Sequence, residues 1–274
     1  MPRLRQIVLL VLAALAVACA VSLHSRPAQA GTIQTDPSAI SAQDAARQLS
    51  EEEQAVAALH ALGVPLERDS RDRVRWIEAV KGELGDEALR HLPALSALEW
   101  LEIGGGPATP AGITHLGKCP SIRRLYVHDL DLSGGSLAWL SGLPLLRALS
   151  LQRTGITGEA LAHLRALGTL TVLNLSDNGI TNADLSRIAR IPGLEVLALQ
   201  NTKVTGSGLP RLKGLMRLNV LNLVNCPVED GDLEHFILLP NLRIVQAAGC
   251  GIGDEAIRAL NQKLPMLSVF QSEK

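Results

Sequence analysis

Aromatic rings are scarce in this chain of 274 residues: three Trp, one Tyr and two Phe, about 2% of the sequence, against 47% hydrophobic residues in all. The core must therefore be aliphatic. That argues against a compact enzyme domain and suits a stack of Leu-built repeats. Cysteine is sparse too. None of Cys19, Cys119, Cys226 and Cys250 stands in CxxC spacing, and an odd three remain once residues 1–30 are set aside, which argues against a disulfide framework. Neither sign of charge dominates: 26 Lys and Arg stand against 27 Asp and Glu. Arg3, Arg5 and Arg26 fall in residues 1–30, which hold no acid, so the rest carries 23 basic against 27 acidic residues, or −4. This balance offers neither the basic footprint of a nucleic-acid binder nor a polybasic membrane patch. Beyond residues 7–23 no apolar run is long enough to cross a bilayer.

The first 30 residues read as an export signal. Arg3 and Arg5 form a basic start, Ile7 to Val21 an apolar run, and Ala28-Gln29-Ala30 a small-residue cleavage site with Gly31 as the first mature residue. Two alternatives stay open. Ile7 to Leu23 is just long enough to remain as a membrane anchor. Leu15-Ala16-Val17-Ala18-Cys19 also resembles a lipoprotein cleavage box, although Ala16 sits where a larger aliphatic is usual. Membrane association is expected only if this segment is retained or Cys19 is lipidated. Residues 31–49, rich in Ser, Thr, Gln and Asp, read as a flexible linker.

The remainder is periodic. Aligned on L-x-x-L-x-L, the frame restarts at Leu98, Ile122, Leu146, Leu170, Leu194, Leu218 and Leu242, each 24 residues after the last. Val74 extends the grid backwards, and Leu267 opens a truncated final strand after one 25-residue step. The clearest units are LRALSLQRTGITGEALAHLRALGT (146–169) and LTVLNLSDNGITNADLSRIARIPG (170–193). In each, the leucine stretch predicts a short strand and a turn such as Thr154-Gly155 or Asn178-Gly179 follows. A helix comes next, with apolar residues at i and i+3, as in Leu161, Leu164 and Leu167, and with Thr157 as its N-cap. One unit cannot bury such a face alone; stacking buries it between neighbours. Before the first unit, Ser50-Glu51-Glu52-Glu53 opens a helix with a capping box, Gly63 ends it, and the charged turn Arg68 to Arg73 sits inside a hairpin. Residues 50–73 are thus expected to form an N-terminal cap.

These units resemble the leucine-rich-repeat family, from residue 74 to about residue 270. The segment ITGEALAHLRAL is similar to its bacterial and cysteine-containing subtypes. The resemblance implies an α/β fold: a right-handed solenoid in a horseshoe arc of about eight units over 74–274. Parallel strands would line the concave face and helices the convex face. It also implies that the ninth residue of each unit points inward and bonds the turning backbone. That slot reads Gly82, Gly106, Leu130, Thr154, Asn178, Thr202, Cys226 and Cys250. Thr154, Asn178, Thr202, Cys226 and Cys250 form the expected structural ladder, with both cysteines buried and reduced. They sit on adjacent rungs, so a disulfide is conceivable, but parallel side chains in a ladder point the wrong way for one. The first three units break the polar pattern and are less regular than the last five.

No catalytic motif is present: no G-x-S-x-G, no H-E-x-x-H and no P-loop. Gly104-Gly105-Gly106 reads as a loosened turn. His91, His115, His163 and His235 share the eighteenth slot, a column on neighbouring helices spaced about 8–10 Å apart, too far for one metal ion. His128 and Asp129 imitate a catalytic pair, but adjacent strand residues should point to opposite sides. No metal or other cofactor is expected.

The resemblance exposes the second, third, fifth, seventh and eighth residues of each strand on the concave face. There the first three units place Trp76, Trp100, Glu102, Tyr126 and His128, with Arg123, Arg124, Arg147 and Arg153 around them. Trp, Tyr and Arg are the residue types enriched at binding hot spots. For Trp76 and Trp100, packing against the cap is the competing explanation. Farther along, the same face turns small and amide-rich. The chain therefore reads as an exported, periplasmic or secreted, non-enzymatic protein that binds a protein or peptide through its concave face. The alternative is a membrane-tethered, envelope-associated spacer; an enzyme is the least favoured reading.

Overall fold

The structure, a computed structural model, describes residues 50–271. The expected export signal and linker, residues 1–49, lie outside the described residues.

The chain forms one ten-stranded sheet in which strands follow one another in sequence order. The opening strand β1 (Glu67–Arg68) runs antiparallel to β2 (Val74–Ala79), with Glu67 opposite Trp76. Every later pairing is parallel: β3 (Trp100–Gly104), β4 (Arg124–His128), β5 (Ala148–Gln152), β6 (Val172–Asn174), β7 (Val196–Ala198), β8 (Val220–Asn222), β9 (Ile244–Gln246) and β10 (Ser268–Phe270). The register steps by 24 residues from β2 to β9, so Ile77, Leu101, Leu125, Leu149, Leu173, Leu197, Leu221 and Val245 stand in one row. The strands are short and parallel because each unit supplies a single aliphatic strand and must cross over before the next. The result is a leucine-rich-repeat solenoid.

Before β1, the helix Glu51–Ala61 begins at a capping box: the Ser50 hydroxyl accepts from the Glu53 backbone, and the Glu53 carboxylate accepts from the Ser50 backbone. Its Ala55 and Leu59 turn into the core.

The convex side corrects one expectation. Six of its segments are 3₁₀ helices: Leu92–Ala94, Thr114–Lys118, Ala138–Gly142, Ala160–Ala166, Gly206–Gly214 and Asp230–Leu238. The α-helix survives in short stretches such as Asn182–Ile188 and in Asp254–Lys263. Thr157 accordingly opens a turn, its carbonyl accepting from the Ala160 amide, and caps no α-helix. The apolar spacing suits the 3₁₀ form without dictating it, since Leu185, Ile188 and Ile191 are spaced and buried alike around the α-helix Asn182–Ile188. Leu161, Leu164 and Leu167 recur every third residue, as do Leu137, Leu140 and Leu143, or Leu209, Leu212 and Leu215, and all are buried. A 3₁₀ helix has three residues per turn and eclipses i with i+3, so it turns all three side chains inward. Cys119 completes such a triplet with Ile113 and Leu116. Burial pushes its thiol up to about 12.

Two columns close each unit. In the ninth slot, Asn178 Nδ2 donates to the carbonyls of Leu151 (2.6 Å), Ser176 (3.0 Å) and Leu175 (3.1 Å). Thr154 and Thr202 donate to Leu151 and Leu199, and Cys226 Sγ lies 3.0 Å from the Leu199 carbonyl. Cys250 Sγ lies 3.2 Å from that of Leu223, and both thiols are free. In the eighth slot the backbone turns left-handed in seven consecutive units, at Gly105, Asp129, Arg153, Asp177, Asn201, Asn225 and Gly249, with φ between 50° and 70°. Gly, Asn and Asp tolerate that conformation; an arginine does so at a cost.

Candidate functional site

The candidate residues gather on β2–β5. Register places Trp76 beside Trp100 and Trp100 beside Arg124, and two residues on it places Glu78 beside Glu102 and Glu102 beside Tyr126. Trp100 and Tyr126 meet edge to face, their ring centres 6.1 Å apart at 76°, a geometry the ring quadrupoles favour. Trp76 carries the Arg75 guanidinium 5.3 Å from its ring centre. The cap hairpin therefore does reach Trp76, through Glu67 opposite it, whereas Trp100 pairs with Tyr126 on the sheet itself.

The fifth slot was expected to be exposed. It is so at Glu78 and in part at Tyr126 and Gln246, but Glu102 is 2% exposed, and Ser150, Asn174, Ala198 and Asn222 are also buried. Asn174 and Asn222 turn back to accept from the Ser176 and Val224 amides. Glu102 has no such local donor. It forms the floor of the site and is no surface contact.

What meets Glu102 is His128. Glu102 Oε1 and His128 Nε2 stand 3.3 Å apart, near enough to attract as charges but not aligned as a hydrogen bond. On its other side, His128 Nδ1 lies 2.8 Å from Asp129 Oδ2. Strand alternation predicted that His128 and Asp129 would diverge. They meet because Asp129 is one residue past the end of β4 and has the left-handed φ of 55°, which breaks the alternation. Asp129 is in turn gripped by Arg153, with Nε to Oδ1 at 2.6 Å and Nη2 to Oδ2 at 3.2 Å. A four-membered chain results, Glu102, His128, Asp129 and Arg153, and its charges alternate when His128 is protonated.

These contacts set the titration. The Glu102 carboxylate, seconded by Asp129, raises His128 above its ordinary value against the opposing effect of burial. Arg153 holds Asp129 below the ordinary carboxylate range, with His128 adding to it. Burial raises the Tyr126 phenol. Glu78 is also raised, by partial burial first and then by the neighbouring Glu102 and Glu67 carboxylates.

Of the glycine triplet, Gly105 and Gly106 do form a bend, Gly105 with a φ of 61°, but Gly104 has another part. Gly104 ends β3 directly beside His128, and a Cβ on it would come within 2.1 Å of His128 Cε1. The imidazole lies flat on bare backbone, and only glycine leaves it that place.

The arginines divide. Arg123 approaches Glu99 at 3.8 Å, and Arg75 pairs with the same carboxylate at 2.5 Å. Arg124 and Arg147 are exposed and form no ion pair among the described residues. On the convex side, a cavity of about 410 Å³ is lined by His163, Arg165, Arg187 and Arg190 among others. No group of three His, Cys, Asp or Glu gathers as a metal site among the described residues, and no helix among them is long and apolar enough to cross a membrane.

Comparison with known proteins agrees with this architecture. A leucine-rich-repeat family profile matches residues 169–189. No curated protein matches the sequence. Among solved structures, an internalin C2 from Listeria monocytogenes str. 4b F2365 is similar at 25% identity and a TM-score of 0.56, over 80% of this chain and 92% of that one. The structure of a TLR13–ssRNA13 complex is similar at 23% identity and a TM-score of 0.52, over 70% of this chain and 27% of that one. The second likeness is one of fold alone.

Proposed function

The chain is a leucine-rich-repeat protein, and from that premise we propose that it is an exported, non-enzymatic binding protein that takes a protein or peptide ligand on the concave face of its first units. The carrying observation is the Trp100–Tyr126 pair with the unpaired Arg124 and Arg147 next to it, on an open sheet face. Rigid aromatic and arginine side chains contribute most where they can be desolvated together. Elsewhere on this face no aromatic pair recurs among the described residues.

Binding is favoured over catalysis by the surroundings of His128. Both of its ring nitrogens face carboxylates, Nδ1 toward Asp129 and Nε2 toward Glu102. A general base needs one nitrogen free for the proton that it abstracts. The network instead holds side chains in place. Nucleic acid is disfavoured by the near-balanced charge of the chain.

The test is capture from the native host with the full mature protein and its Arg124→Ala/Tyr126→Ala variant. Loss of the partner with unchanged folding supports the site; equal capture moves it elsewhere. Export is tested separately by N-terminal sequencing of the mature protein, which is expected to begin at Gly31. Recovery only in the membrane fraction with residues 7–23 intact would replace export by tethering.

A further inference from the structure

The concave site is polarised along the solenoid. Most of its charges neutralise one another: Arg75 holds Glu99, Arg153 holds Asp129, and His128 lies between Glu102 and Asp129. The remaining charges separate by end. Glu67 and Glu78, on β1 and β2, have no cation within ion-pair distance among the described residues, and Glu78 already feels the repulsion of Glu67 and Glu102. Arg124 and Arg147, on β4 and just before β5, have no acid within that distance among the described residues. The Trp100–Tyr126 pair lies between the two ends.

We infer that this surface takes an extended segment of a partner protein that presents a Lys or Arg to the Glu67–Glu78 end, an apolar side chain to the Trp100–Tyr126 pair, and an Asp or Glu to Arg124 and Arg147. The inference rests on the binding role proposed above and adds the chemistry of the ligand. Its charge complementarity is twofold. A cation over Glu78 relieves the mutual repulsion of carboxylates and finds aromatic faces beside it, as Arg75 already does on Trp76. A carboxylate at Arg124 and Arg147 meets two unpaired guanidinium groups, which bind carboxylates in two-pronged fashion. Strands lie about 4.8 Å apart, so β2 to β4 or β5 spans about 10–14 Å, and an extended segment covers that in about three or four residues. The opposite charges of the ligand are thus separated by that interval.

The experiment is a selection from a random displayed peptide library on the immobilised full chain. Parallel selections use Glu67→Gln/Glu78→Gln, Arg124→Gln/Arg147→Gln and Trp100→Ala/Tyr126→Ala, each checked for folding by circular dichroism. The wild type is expected to enrich a basic and an acidic residue three or four apart around an apolar one. The Gln pair at the acidic end removes the basic preference at least tenfold and keeps the acidic one, and the Gln pair at the other end does the reverse. A consensus that depends on Trp100 and Tyr126 but carries no paired charges overturns this inference and leaves the binding role standing. Enrichment that survives loss of both rings overturns the binding role itself. An empty wild-type selection also overturns the inference.

Discussion

Along the row Trp76, Trp100, Arg124, Ala148, Val172, Val196, Val220, Ile244, the backbone repeats while the side chains change from large and polar-tipped to small and aliphatic. The ninth slot changes in the opposite sense, from Gly82, Gly106 and Leu130 to the bonded Thr154, Asn178, Thr202 and Cys226. The regular units turn their polar groups inward onto their own carbonyls. The early units leave that ladder incomplete and place their polar groups on the open face. One lattice serves both regions, so the difference lies in the side chains: the later units bond their own turns, and the earlier ones hold the residues proposed above as the recognition surface.

The largest effect is expected from the later units. Leu197 is fully buried on β7, so Leu197→Ala is expected to lower stability by about 2–5 kcal/mol in denaturant unfolding, while whatever remains folded binds as before. If Trp100→Ala/Tyr126→Ala destabilised the chain as much, the division between the two regions would fail. Gly104→Ala comes next. Its methyl group must displace the His128 ring, at about 1–3 kcal/mol for forced overpacking, and the ligand should be lost more completely than this stability change explains.

A smaller effect separates the regions by pH. His128 is raised in the folded state, so its protonated form stabilises the fold. That contribution is fully present below the ordinary histidine value of 6.5 and is lost as pH rises through the raised one. The melting-temperature gap between wild type and His128→Gln should therefore be widest in mildly acidic buffer and close on the alkaline side. A gap independent of pH would remove His128 from the charge chain. The smallest effect concerns Arg153, whose φ is 50° and whose guanidinium grips Asp129. Arg153→Asn gives that unit the type of residue found at Asn201 and Asn225, and strain relief offsets the lost ion pair. Stability should stay within about 1 kcal/mol, while Asp129 loses its grip and binding weakens.

The register was legible from the residues alone, because a 24-residue recurrence of leucine fixes which side chains face each other across every strand pair. Trp76, Trp100 and Tyr126 fell into place for the same reason. The burial of Glu102 was not legible: His128 of the next unit meets it, and no single unit encodes that. Nor was the meeting of His128 and Asp129, since one left-handed residue cancels the alternation. A signal for it existed, however. Gly105, Asp129, Asp177, Asn201, Asn225 and Gly249 share one slot, and these are the residue types that accept positive φ. The 3₁₀ character of the convex side was not legible: triplets such as Leu161, Leu164 and Leu167 fit three residues per turn, but Leu185, Ile188 and Ile191, spaced alike, go with an α-helix.

The constant 24-residue step has one more consequence. Removal of residues 170–193 would bring Thr169 onto Leu194, and Val196 and Leu197 would then lie against Ala148 and Leu149, where Val172 and Leu173 lie now. Within the strands the new joint repeats the old one apart from Ala198 in place of Asn174, and in the ladder Thr202 takes the place of Asn178. Each unit thus joins its neighbours through the same strand register, and the number of units sets the length of the solenoid independently of the site proposed on its first strands.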